Sequence, residues 1–147
     1  MNKIRTVLLA VALAAPVMGP NRSSAEGAVA IGSTGNVATD GVALGVGFNY
    51  ATRQGAIDRA LAECHAQQDA PSATRALCTI VGTFRNQCAV FAMDPEPGTP
   101  GVGWAIATSK QKAASEALGN CRATAGASRR QFCVVSLTDC DTKTPKQ

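Results

Sequence analysis

The chain has 147 residues, with 46% hydrophobic and only 4% aromatic side chains, 14 basic and 10 acidic residues, and six cysteines. That length suits one compact domain rather than several. The basic residues are scattered, the densest group being Arg129 and Arg130 with Arg122 nearby. There is no basic stripe interleaved with stacking aromatics, so a nucleic-acid partner is not expected.

In chain order, residues 1–25 read as a cleaved secretory signal. Lys3 and Arg5 precede an apolar run (7–18) that Pro16 interrupts and that is too short to span a bilayer. Small residues Ser23, Ser24 and Ala25 place the cut after Ala25, leaving Glu26 first and no membrane anchor. Removing 25 residues from 147 leaves 122, and three of the 14 basic residues go with them, so the remaining net charge is about +1. The expected location is periplasmic or secreted. In such a compartment six cysteines read as three disulfides. With no Cys-x-x-Cys and one histidine, neither a metal site nor a cofactor is expected.

GAVAIGS (27–33) reads as a strand, matched later by CAVFAMD (88–94). A turn at 35–40 has its counterpart in PEPGTP (95–100), whose prolines exclude helix and central strand. GVALGVG (41–47) and GVGWAIA (101–107) align without a gap. Large residues Val42, Leu44 and Val46, or Val102, Trp104 and Ile106, fall on one face. Glycine and alanine fall on the other, as period two requires. A face that small implies something packed very close, and the helix that follows is the candidate. That helix carries Ala56, Ala60, Leu61 and Cys64 in one stripe, repeated as Ala113, Ala117, Leu118 and Cys121. Thr52 and Ser109 sit at the N-cap positions. Gly55 and Gly119 weaken the helices by about 1 kcal/mol each relative to alanine. Polar loops (66–75 and 122–130), expected to be mobile, lead to the β-branched runs LCTIVGTF (77–84) and FCVVSLT (132–138), and residues 141–147 to a flexible tail.

The expected fold is therefore α+β. Two tandem strand-strand-helix-strand repeats, about 27–84 and 88–138, form a single domain over 26–140, share one core and are stapled by disulfides. Six cysteines allow fifteen connectivities. The repeat favours Cys64–Cys78 and Cys121–Cys133 within the halves, with Cys88–Cys140 as a link between them.

These motifs resemble a family of secreted bacterial domains, domain of unknown function 4189. The resemblance rests on AVAIG, on the two A-x-x-x-A-L-x-x-C helices, on the C-x-(I/V)-V strands and on N-Q-C-A-V at 86–90. It implies a small exported bacterial protein with no established activity and no catalytic residues to carry over.

No constellation names a reaction. His65 follows Cys64 at a helix end and lacks a free thiolate to activate. The acid pairs Asp58/Glu63, Asp139/Asp141 and Asp94/Glu96 are too ordinary to mark a glycosidase, and an isolated D-x-E lacks the other oxygen ligands of a calcium site. GVALGVG lacks the third glycine of a dinucleotide loop. Trp104 either fills the core opposite Leu44 or joins Phe48 and Tyr50 in a binding patch. The expectation is an exported, non-enzymatic binding protein, an inhibitor, an immunity-type factor or an envelope- or host-interacting factor, with a protein or envelope-component partner. The alternative is a carboxylate-dependent cell-envelope hydrolase.

Overall fold

A computed structural model describes residues 26–141; the expected signal segment and the rest of the tail lie outside the described residues. The first half runs β1 (Glu26–Gly32), the single turn α1 (Val37–Asp40), β2 (Ala43–Tyr50), α2 (Arg53–Ala66), the short α3 (Ser72–Arg75) and β3 (Thr79–Phe84). The second runs β4 (Cys88–Met93), β5 (Val102–Ala107), α4 (Lys110–Thr124), a 3-10 turn (Arg130–Phe132) and β6 (Val134–Cys140). Each half forms its own antiparallel three-stranded sheet, in the orders β2-β1-β3 and β5-β4-β6. The first strand of each half is therefore central. The α+β class and the two similar units are as the sequence predicts.

The pairing registers correct one detail. Val46 lies opposite Val29, and Trp104 lies opposite Phe91. Trp104 thus corresponds to Val46 and not to Leu44, a slip of two residues from the gapless alignment. Because side chains alternate with period two, the slip leaves every residue on its expected face. The irregularities repeat as well: Val81 is skipped in the β1–β3 ladder and Ser136 in the β4–β6 ladder.

The small-residue faces meet the helices. Ala56, Ala60 and Cys64 of α2 pack on Ala28, Ala30 and Ala43, while Ala113, Ala117 and Cys121 of α4 pack on Val90, Ala92 and Ala105. The approach is close enough that a Cβ on Gly45 would strike the Ala60 carbonyl, and one on Gly103 the Ala117 carbonyl. Thr52 Oγ1 accepts from Gly55 N–H at 3.1 Å and Ser109 Oγ from Lys112 N–H at 3.2 Å, so both expected caps form. The large-residue faces meet each other. Val29, Val46, Phe84, Ala89 and Phe91 are buried between the sheets, flanked by Leu44, Trp104, Ile106 and Leu137. Helix, sheet, sheet and helix make four layers, with the shared core in the middle and a smaller core under each helix.

The disulfides are Cys64–Cys78, Cys121–Cys133 and Cys88–Cys140, as the repeat favours. The role assigned to the third needs correction. Cys88 begins β4 and Cys140 ends β6, so this bond joins two neighbouring strands inside the second half. At the same place in the first half stands an ion pair, Glu26 with Arg85.

The loops expected to be mobile are tied down. Thr74, fully buried, donates to the Asp40 carbonyl at 2.8 Å. In the second half Arg129 reaches back to Asp94 with two 2.7 Å hydrogen bonds, contacts Glu96 at 2.6 Å and stacks over Phe132.

Candidate binding groove

An edge strand leaves every second backbone amide and carbonyl unpaired, and β2 and β5 are both edges. The following helix supplies the partners from one stripe. In the second half Thr124 Oγ1 donates to the Val102 carbonyl at 2.8 Å and accepts from its N–H at 2.9 Å, while Asn120 Nδ2 donates to the Trp104 carbonyl at 2.9 Å. In the first half the Leu44 N–H donates to Gln67 Oε1, and the Val46 N–H to Glu63 Oε2 at 3.1 Å. Residues spaced by four along a helix share a face, which places Glu116, Asn120 and Thr124 in one row and Arg59, Glu63 and Gln67 in the other.

Along each edge strand and the row that caps it lies a groove. The second-half groove, of about 650 Å3, is lined by Val102 to Ile106 of β5 and by Glu116, Asn120, Ala123 and Thr124 of α4. Ile31, Ser33, Val37 and Val42 of the first half line it too. The first-half groove is about half that size, roughly 310 Å3, and is lined by Val46, Phe48, Tyr50, Arg59 and Glu63. A third hollow of about 340 Å3 shares Val37, Val42 and Val102 with the large groove and continues it over the proline-rich turn, past Asp69, Asp94 and Glu96.

Trp104 and Phe48 both pack against the sheet-to-sheet core, but they line different grooves. Trp104 stacks on Phe91, ring centres 6.5 Å apart, and lines the large groove; Phe48 and Tyr50 line the small one. All three are half-buried. Trp104 thus both fills the sheet-to-sheet core and walls a groove.

The other candidate residues serve the fold. His65 Nδ1 lies 2.8 Å from the Arg75 carbonyl, and Arg75 reaches the His65 carbonyl, so the two close the loop between α2 and α3. The hydrogen bonds from Arg129 hold the Asp94 carboxyl below its usual range. The guanidinium ties Asp94 to Glu96, one positive charge shared between two carboxylates. Asp141 is fully buried, and burial pushes its carboxyl up to about 6 even though Asn86 N–H donates to Oδ2 at 3.1 Å. Its Oδ1 has no hydrogen-bond partner, and the residue lines none of these grooves. Among the described residues no cysteine is free, and no group of three or more His, Cys, Asp or Glu is placed to hold a metal ion.

Sequence reasoning missed Glu116, Asn120 and Thr124. A signal was present, because a polar row at spacing four ran beside the alanine stripe. Its meaning depends on β5 being an edge, which pairing order alone decides.

The fold and the groove define a disulfide-stapled two-unit α+β domain with a ligand-sized trough along one edge strand. The chain belongs to the family described as domain of unknown function (DUF4189), whose model matches residues 27–140. No curated protein and no solved structure matches it. None of the described helices is long and apolar enough to cross a membrane.

Proposed function

We propose that the protein is an exported binding protein, secreted or periplasmic, and that its ligand site is the groove lined by β5, the α4 row and Ile31, Val37 and Val42 of the first half. The observation that carries this reading is the groove itself. The close Gly103–Ala117 approach holds its β5 lining against α4, hydrogen bonds to β5 fix its polar residues, and an indole is part of its surface. Rigid walls of mixed apolar and polar character are what a preformed site requires. Three disulfides suit an oxidising compartment.

The hydrolase alternative draws no comparable support. A carboxylate mechanism needs two acids facing across a cleft; the large groove is lined by one, Glu116, and in the adjoining hollow Asp94 and Glu96 are both held by Arg129. The acid with a raised pKa, Asp141, is sealed from solvent.

Site-specific photo-crosslinking tests the site. A crosslinker at Ala123, exposed and in the groove, is compared with one at Ala62, exposed on α2. In envelope and culture fractions, discrete adducts at 123 and none at 62 are expected. No adducts, or the same adducts at both, would overturn the assignment. For export, N-terminal sequencing of protein recovered outside the cytoplasm is expected to begin at Glu26; recovery only from cytoplasm, with Met1 retained, would refute it.

A further inference from the structure

The two grooves are built alike but charged differently. In the first half Arg59 and Glu63 form an ion pair, and Glu63 also accepts the Val46 N–H, so both charges are met within the row. In the second half Glu116 holds the position of Arg59 and Asn120 that of Glu63. Asn120 still serves the strand, but Glu116 faces the groove and makes no ion pair within the described residues. Lys112, one turn earlier on α4, does not line the groove.

The neighbouring hollow extends the imbalance. Asp69, Asp94 and Glu96 line it without a lysine or arginine, and Arg129 shares its single positive charge between Asp94 and Glu96. From Glu116 to Asp69 the lining side chains therefore carry a net negative charge among the apolar Val37, Val42 and Trp104. Long basic side chains match both properties at once, because their methylene stems lie on apolar surface while their heads reach carboxylates.

We propose that the trough binds an extended, lysine- or arginine-bearing segment of a partner polypeptide, with one basic head at Glu116 and another at the Asp69 and Glu96 end. This rests on the groove being the binding site. The open trough runs past an edge strand already capped by Asn120 and Thr124, so recognition is through side chains and not through added sheet pairing.

Trp104 is the chain's only tryptophan, so its emission reports on the trough directly. Mature oxidised protein is titrated with a short peptide of Lys-Ala-Val repeats, and separately with the same peptide carrying glutamine or glutamate in place of lysine. A saturable change is expected with the lysine peptide and none with the glutamate peptide. Affinity should fall by about threefold in Glu116→Gln and by about tenfold or more in Glu116→Arg, as expected for an exposed charge pair and its reversal. Added salt should weaken it further. Glu116 is exposed, so near-UV circular dichroism should match the wild type and keep folding out of the result. Equal affinity for the glutamine peptide, or an unchanged affinity in Glu116→Arg, would overturn the cationic assignment while leaving the groove as a site. Emission that no peptide perturbs, together with no adducts at position 123, would overturn both.

Discussion

In the first half Glu63 caps the Val46 N–H and is held by Arg59; in the second Asn120 caps the Trp104 carbonyl and Glu116 stands unpaired where Arg59 would be. At the strand ends, Glu26 and Arg85 meet through an ion pair where Cys88 and Cys140 meet through a covalent bond. At the loops, a neutral hydrogen bond from Thr74 stands against the Asp94–Arg129–Glu96 cluster. The shared parts are those the backbone demands: close strand–helix approach, capped helices and capped edges. The parts that differ are side-chain chemistry on an unchanged frame, and the second half holds both the firmer staple and the unsatisfied charge. That division puts the close-packed frame in both halves, and gives the second half alone the extra staple and the charge on which the proposed recognition rests.

The largest expected effect comes from breaking a repeated feature. Gly103→Val puts a branched side chain into the Ala117 carbonyl and the Cys121 amide, and Gly45→Val does the same against Ala60 and Cys64. Neither clash can relax without separating strand from helix, so each is expected to cost more than about 3 kcal/mol. Denaturant unfolding of the oxidised proteins checks this, and a loss below about 1 kcal/mol in either would show that the close approach is dispensable. Next comes converting one half into the other. Cys88→Glu with Cys140→Arg replaces the staple with the first half's ion pair. The bond closes a separation of 52 residues, worth about 4 kcal/mol in the chain-entropy model, and a half-exposed ion pair returns at most about 1 kcal/mol. A net loss of about 3 kcal/mol is expected from the same measurement; no loss would mean that the two devices are equivalent.

The physics of each feature explains what was legible in the sequence. Strand faces were, because period two survives a register slip, and so Val46 and Trp104 could be misaligned yet still be placed on the inner face. The cysteine partners were, because the same alanine stripe leads to Cys64 and Cys121. The location of Cys88–Cys140 was not, since whether it crosses between halves depends on β4 pairing with β6. The order of the loops was not either. Arg129 finds Asp94 across 35 residues of chain, and nothing local marks that pair. The candidate site was half visible: Trp104 stood out by its rarity, while Glu116 looked like any solvated helix residue until its row was set beside an edge strand.

A smaller and pH-dependent effect distinguishes the two positions that follow the last strand of each half, Asn86 and Asp141. Burial raises the Asp141 carboxyl from 3.8 to about 6, so the folded state holds a proton that the unfolded state releases. Its contribution to stability falls as pH rises from about 4 to about 6 and stays low above that. Asp94, whose carboxyl is held lower in the folded protein, acts in the opposite sense and below that window: its stabilisation is present above about pH 4 and is lost on further acidification. Asp141→Asn, which copies the first half, is therefore expected to be more stable than wild type at pH 7.5, with the advantage shrinking to nothing near pH 4. Thermal unfolding of both proteins across that range checks it. A difference that does not change with pH would remove Asp141 as its source.

The smallest expected effect sharpens the comparison at the helices. Gly119 of α4 stands where α2 has Ala62, and a Cβ built there meets nothing within 4 Å. Gly119→Ala should therefore recover most of the propensity difference between glycine and alanine, about 0.5–1 kcal/mol. Gly55 is the opposite case. A Cβ there would sit 3.2 Å from both Thr52 Oγ1 and Tyr50 Cδ1, crowding the N-cap that starts α2. Gly55→Ala should gain little, because the same propensity is offset by that crowding. The pair separates intrinsic helix preference from local packing within one molecule. Equal gains at both positions in denaturant unfolding would show that the cap yields readily and that the two helices are limited by propensity alone.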